Sequence, residues 1–133
     1  MFTADQIKAE HAKVKSGADF PRYVQTLISL GVSHYKFNLA NGSCTFYGAN
    51  GHEAKWPPKY SDLPIAPTAS KEKLSQAISI HQQGQTDFPT FCRQAGEAGI
   101  TLWTTDLKAL NVIYKDAAGT TILSEPIPVG EYA

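Results

Sequence analysis

Charge is sparse in this 133-residue chain and neither sign prevails: twelve Lys and Arg balance twelve Asp and Glu. Without a net positive field to gather phosphates, nucleic acid is not expected as a partner. Long hydrophobic runs are missing too, the longest being a few residues, so no membrane association is expected. The opening Met1-Phe-Thr-Ala-Asp-Gln6 lacks the basic and apolar regions of a signal peptide, which points to the cytoplasm. Cysteine is limited to Cys44 and Cys92, with no Cys-x-x-Cys spacing, so no metal site is expected. No segment carries a catalytic or cofactor signature, and no cofactor is expected.

What the chain does have is hydrophobic material for one packed core: 42% apolar residues in a length typical of a single domain, here 1–133. Its strongest pattern is internal. Asp19-Phe20-Pro21 recurs 68 residues on as Asp87-Phe88-Pro89, and at that offset residues 19–58 lie on residues 87–126 without a gap. Eight of the forty pairs are identical, where composition alone gives about two or three. Tyr23 falls on Phe91, Val32 on Ile100, Tyr35 on Trp103 and Phe46 on Tyr114. The pattern predicts two tandem repeats, about 3–58 and 70–128, joined by a proline-rich crossover at 57–69 that is ordered against the surface.

Each repeat reads as helix, helix, three-stranded meander. Thr3 with Gln6 forms a capping-box pattern ahead of a helix that Gly17 ends, and the matching helix begins near Ser70 and stops at Gly84. Asp19 and Asp87 stand where an N-cap precedes a helix with proline in its first turn, and Gly31 and Gly99 stand where such a helix stops. Tyr35, Phe37 and Leu39 then alternate with His34, Lys36 and Asn38, a strand with one wet face, followed by the hairpin signal Asn41-Gly42. Cys44 lies on Val112 and Cys92 on Val24, which marks both cysteines as small buried hydrophobes. The expected fold is α+β: a pseudo-two-fold pair of helix–helix–meander units, with an antiparallel sheet and helices mainly on one face.

The blocks His11-Ala-Lys-Val-Lys-Ser-Gly-Ala-Asp-Phe-Pro21 and His81-Gln-Gln-Gly-Gln-Thr-Asp-Phe-Pro-Thr-Phe-Cys92 resemble a small bacterial family of domains of unknown function. So does the tail Tyr114-Lys-Asp-Ala-Ala-Gly119 followed by Glu125-Pro-Ile-Pro128. The resemblance covers nearly the whole chain. Members often carry the label "phage envelope protein", but the resemblance implies no activity, ligand or catalytic residue.

Two sets of residues are candidates for chemistry. His11 and His81 each precede an aspartate, Asp19 and Asp87, and a His–Asp hydrogen bond would orient the ring and raise its basicity. The competing reading is that both rings are mostly covered by the helices after Pro21 and Pro89 and that both aspartates are caps, so no residue is designated catalytic. The second set is aromatic: Tyr35, Trp56, Tyr60 and Trp103, with His34, as the lining of a ligand site. Trp56 and Tyr60 break the internal symmetry, Ser124 and Pro128 standing at those places in the second copy.

Three functions follow in order of expectation. The first is a module that binds a small molecule or effector at the seam between the repeats. The second is an interaction protein acting through its sheet surface or as a homodimer. The third is an enzyme using one of the His–Asp pairs, with Tyr23 as a proton relay or oxyanion donor.

Overall fold

A computed structural model of the chain describes residues 2–14, 19–61 and 63–127. Two helices, α1 (Ala4–His11) and α2 (Phe20–Leu30), lead into strands β1 (Val32–Asn38), β2 (Cys44–Gly48) and β3 (Glu53–Trp56). The order then recurs as α3 (Lys71–Gln82), α4 (Phe88–Glu97), β4 (Ile100–Asp106), β5 (Asn111–Asp116) and β6 (Thr121–Pro126). No helix among the described residues is long and apolar enough to cross a membrane.

Local chemistry explains most of the boundaries. Thr3 Oγ1 accepts from the Gln6 amide at 3.1 Å while the Gln6 side chain accepts from the Thr3 amide at 2.9 Å, a closed capping box. Ser70 Oγ accepts from the Lys73 amide and Asp87 Oδ1 from the Thr90 amide, starting α3 and α4. Gly31 and Gly99 both take positive φ after their helices. Two expectations at helix ends need correction. Asp19 holds φ −88 and ψ −7 and makes no side-chain capping bond, whereas Asp87 is extended at φ −81 and ψ 172. A capping bond is made from extended backbone, which Asp87 has and Asp19 does not. Helix α1 ends at His11, where tight turn bonds such as Val14 N to His11 O take over; Gly17 lies outside the described residues.

The six strands form one antiparallel sheet in the order β3-β2-β1-β4-β5-β6. In the central pair Lys36 faces Thr104, flanked by Tyr35 opposite Thr105 and Phe37 opposite Trp103. Those numbers map onto themselves when the two strands are exchanged at the offset of 68. The hairpin registers recur at the same offset: Tyr35–Phe46 with Trp103–Tyr114, Phe37–Cys44 with Thr105–Val112, Val32–Gly48 with Ile100–Asp116. Even the irregularity after Val32 has its counterpart after Ile100.

The outermost strands depart from this rule. Cys44 faces Trp56, but Val112 faces Glu125, because the register shifts between Tyr114 and Lys115 and leaves Ile122 as an extra residue in β6. The gapless offset had set Ser124 against Trp56; the bulge moves Glu125 into that place and sends Ser124 to the other face.

One face of the sheet carries the core. Two rows cross it: Ala54, Phe46, Tyr35, Thr105, Val112 and Glu125, then Trp56, Cys44, Phe37, Trp103, Tyr114 and Leu123. Nine of these side chains, among them Trp56 and Trp103, join Ile7, Val24, Leu27, Leu74, Ile78 and Phe91 from the helices in a single buried cluster. Full burial of a side chain of that size stabilises by about 1.5–3 kcal/mol. The crossover is laid on α4: Ala66 N donates to Gly96 O, Ser70 N to Ala98 O, and the Pro64 carbonyl sits where a Cβ at Gly96 would be.

Candidate ligand-binding cleft

The helices do not close completely on the sheet. Between the layers runs a cleft whose floor is formed by the two rows of inward side chains and whose roof comes from both helix pairs. The cavity volume is about 90 Å³, and all empty space out to the open mouth comes to about 880 Å³. Its lining runs from Trp56 on β3, at one edge of the sheet, to Glu125 on β6 at the other.

Most of the wall is aromatic. Phe37 and Trp103 stack across the central strand pair at 4.6 Å and 24°. Phe88 meets both edge-on, at 5.5 and 6.1 Å, and Phe91 lies 5.6 Å from Trp103. Phe46 and Trp56 continue the wall at the β3 side, 4.8 Å apart, and Tyr114 continues it at the β6 side, 5.7 Å from Trp103. Such offset and edge contacts hold the rings in fixed orientations.

The polar groups are few. His11 is enclosed edge-on by Tyr23, Trp56 and Phe88 at 5.3–5.6 Å, and burial with the nearby Lys59 charge lowers its pKa to about 4. His81 stacks on Phe91 at 4.6 Å, and burial lowers its pKa too, opposed by the Thr86 hydrogen bond and the Asp87 charge. Its Nδ1 lies 3.0 Å from the Thr86 carbonyl; a carbonyl only accepts, so the neutral ring carries its proton there and leaves Nε2 as an acceptor. Burial raises the phenols of Tyr23, Tyr35 and Tyr114, keeping them protonated at neutral pH. Thr105 is fully buried, and its Oγ1 has no partner of hydrogen-bond geometry. It does lie near enough to the Tyr35 phenol, across the strand pair, to oppose part of the rise caused by burial. Glu125 accepts from Gln82 Nε2 at 3.2 Å, and burial raises its carboxyl.

Of the residues singled out in the sequence, Tyr35, Trp56, Trp103, His11 and His81 all line the cleft. Two aromatic-set candidates lie elsewhere. Tyr60 covers Gly42 with its ring and donates to Leu39 O, which places it against the β1–β2 turn. His34 is on the other face of β1, stacked at 4.4 Å on Tyr47, since strand alternation sends it opposite to Tyr35. Neither candidate His–Asp pair, His11 with Asp19 or His81 with Asp87, is joined by a hydrogen bond among the described residues. Asp87 is engaged by the start of α4 and His81 turns to Thr86. Both rings are half-buried at the cleft wall, His11 against Tyr23 and Phe88 and His81 against Phe91.

Glu125, Gln82 and Thr105 are lining residues that the sequence did not single out. For Thr105 a signal existed: between Trp103 and Leu107 on an inward face, a hydroxyl is out of place. Glu125 offered none, because its facing depends on the bulge at Ile122. Cys44 and Cys92 belong to the buried core. Both are free and buried, and burial raises the thiol of Cys44 and brings that of Cys92 up to about 12, so neither is a thiolate at neutral pH. No group of three potential metal ligands comes together among the described residues.

The comparison with protein families matches residues 8–126 to a family described as protein of unknown function, DUF1398. No curated protein matches the chain.

Proposed function

We propose that this chain, which belongs to the DUF1398 family, is a binding protein for a small, largely apolar ring compound held in the cleft between helices and sheet. One observation carries the reading: an aromatic-walled cleft contains a fully buried hydroxyl, Thr105 Oγ1, that makes no well-formed hydrogen bond among the described residues and has the Tyr35 phenol as its polar neighbour. Buried polar groups without partners cost about 1–3 kcal/mol, and one set in the wall of a cleft is open to a group from outside. An apolar pocket with a few convergent polar groups is the common form of a small-molecule site.

The same reading takes the domain to be a tandem duplication with the cleft along its seam. The hairpin registers that recur 68 residues apart support this, and so does the central pair that maps onto itself. A seam of this kind gives each half one wall, and the two walls diverge where selectivity is needed, at Trp56 and Glu125.

The test uses the two tryptophans of the chain, Trp56 and Trp103, both of which line the cleft. A thermal-shift screen over indole-, quinoline- and naphthalene-sized compounds is expected to yield binders that also change tryptophan emission. Val112→Phe, which fills the floor, should remove binding while leaving the circular dichroism spectrum intact. A broad screen in which no compound moves either the melting temperature or the emission would sink the reading.

A further inference from the structure

Within the binding reading just given, we infer that the ligand is a cation: an aromatic or bicyclic amine whose ammonium is held by Glu125 at the β6 end of the cleft.

Three observations lead there. First, among the described residues that line the cleft only Glu125 carries a formal charge at neutral pH, burial keeping both histidines neutral. Second, the carboxylate is half-buried and has no ion-pair partner among the described residues, its hydrogen bond being the neutral one from Gln82. A carboxylate drawn partly out of water without a countercharge destabilises the empty protein and attracts a cation that can pair with it. Third, the surroundings suit an organic ammonium. Ring faces attract cations, and the rim already shows this at the opposite end, where Lys59 Nζ sits 4.5 Å from the Trp56 centroid. That end therefore has its cation, and among the described residues the Glu125 end has none.

The row Thr105, Val112, Glu125 gives the site a scale. Adjacent strands are ~4.8 Å apart, so Glu125 and Thr105 stand about 10 Å apart with Val112 between them. A bicyclic ring with a one- or two-carbon amine arm spans that distance. Its ring then rests on Val112 and reaches Trp103, and a polar substituent at its far side meets the Thr105 hydroxyl. The bulge at Ile122 is what makes this end acidic: without it Ser124 would take the place, and the site would hold no charge.

The experiment compares 2-naphthylmethylamine, 2-naphthylmethanol and 2-naphthoate, three ligands of one shape carrying positive, zero and negative charge. Binding is measured by tryptophan emission and calorimetry at pH 7.5. The amine is expected to bind at least about 10-fold more tightly than the alcohol, and the carboxylate more weakly than both. Glu125→Gln should abolish that preference and keep the affinity for the alcohol, while Glu53→Gln, on the other face at the far edge, should leave it intact. Equal binding of amine and alcohol, preference for the carboxylate, or an amine preference that survives Glu125→Gln each overturns the assignment of Glu125 and leaves the cleft a binding site. Binding of none of the three at millimolar concentration overturns both.

Discussion

Trp56 and Glu125 hold corresponding places in the sheet, one opposite Cys44 on β2 and the other opposite Val112 on β5, and each closes one end of the cleft. The pair is where the two halves differ most in chemistry: an indole with an ammonium on its face at one end, a half-buried carboxylate at the other.

Glu125 should make the empty protein less stable at neutral pH than it need be. Its carboxyl is raised by burial, so the folded state binds the proton more tightly than the unfolded one. Its cost is present above the raised value and disappears as pH falls toward the ordinary carboxylate range near 4. Glu125→Gln is therefore expected to raise the melting temperature at pH 7.5 and to give no gain at about pH 4. Because the group is half exposed, the gain stays within about 0.5 kcal/mol. A loss of stability at pH 7.5 would contradict this account.

His11 gives an acid dependence of the opposite sense. Its folded pKa of about 4 lies below the unfolded value of about 6.5, so the stability of the neutral ring is complete above 6.5 and is lost as pH falls from there toward 4. His81, also lowered, adds in the same direction. The ring protons of His11 should titrate near 4 by NMR. His11→Phe, which keeps the edge-on contacts with Tyr23, Trp56 and Phe88, should lose less stability between pH 7 and pH 5 than the parent chain does in urea unfolding.

Gly31 and Gly99 end corresponding helices but differ in surroundings, and alanine should separate them. Both hold positive φ, which costs an alanine about 1 kcal/mol. A Cβ at Gly31 meets nothing within 4 Å, whereas one at Gly99 comes 2.6 Å from Ala69 Cα and 2.8 Å from Thr68 O. Gly31→Ala is expected to cost about 1 kcal/mol and Gly99→Ala about 2–4 kcal/mol, since the crossover backbone must move. Equal midpoints for the two variants in urea would mean that the crossover does not press on α4 as described.

Thr105→Val should stabilise the empty protein. The substitution keeps the shape and removes a fully buried hydroxyl that has no partner, a change worth about 0.5–1 kcal/mol. The same variant should weaken any ligand whose polar group reaches that hydroxyl, so stability and affinity are expected to move in opposite directions. A destabilised Thr105→Val would show that the protein itself satisfies the hydroxyl.

Caps, turns and strand alternation were legible in the sequence because each depends on a few neighbouring residues. The Thr3–Gln6 capping box, the cap at Asp87, the glycines at 31 and 99, and the inward set Tyr35, Phe37, Cys44, Phe46 and Trp103 all follow from local chemistry and a period of two. From these alone the sequence determined an α+β domain with one apolar sheet face under helices. The tertiary structure decided what non-local packing controls. One extra residue at Ile122 turned Glu125 inward and Ser124 outward, a choice made by how β6 pairs with β5 and invisible to alternation within β6. The packing of Trp56, Phe88 and Phe91 around them left His11 and His81 half-buried in the wall of a cleft, a contact set that no stretch of local sequence specifies. Backbone conformation at Asp19 separated it from Asp87 despite an identical tripeptide, since a capping bond needs the extended backbone that only Asp87 holds.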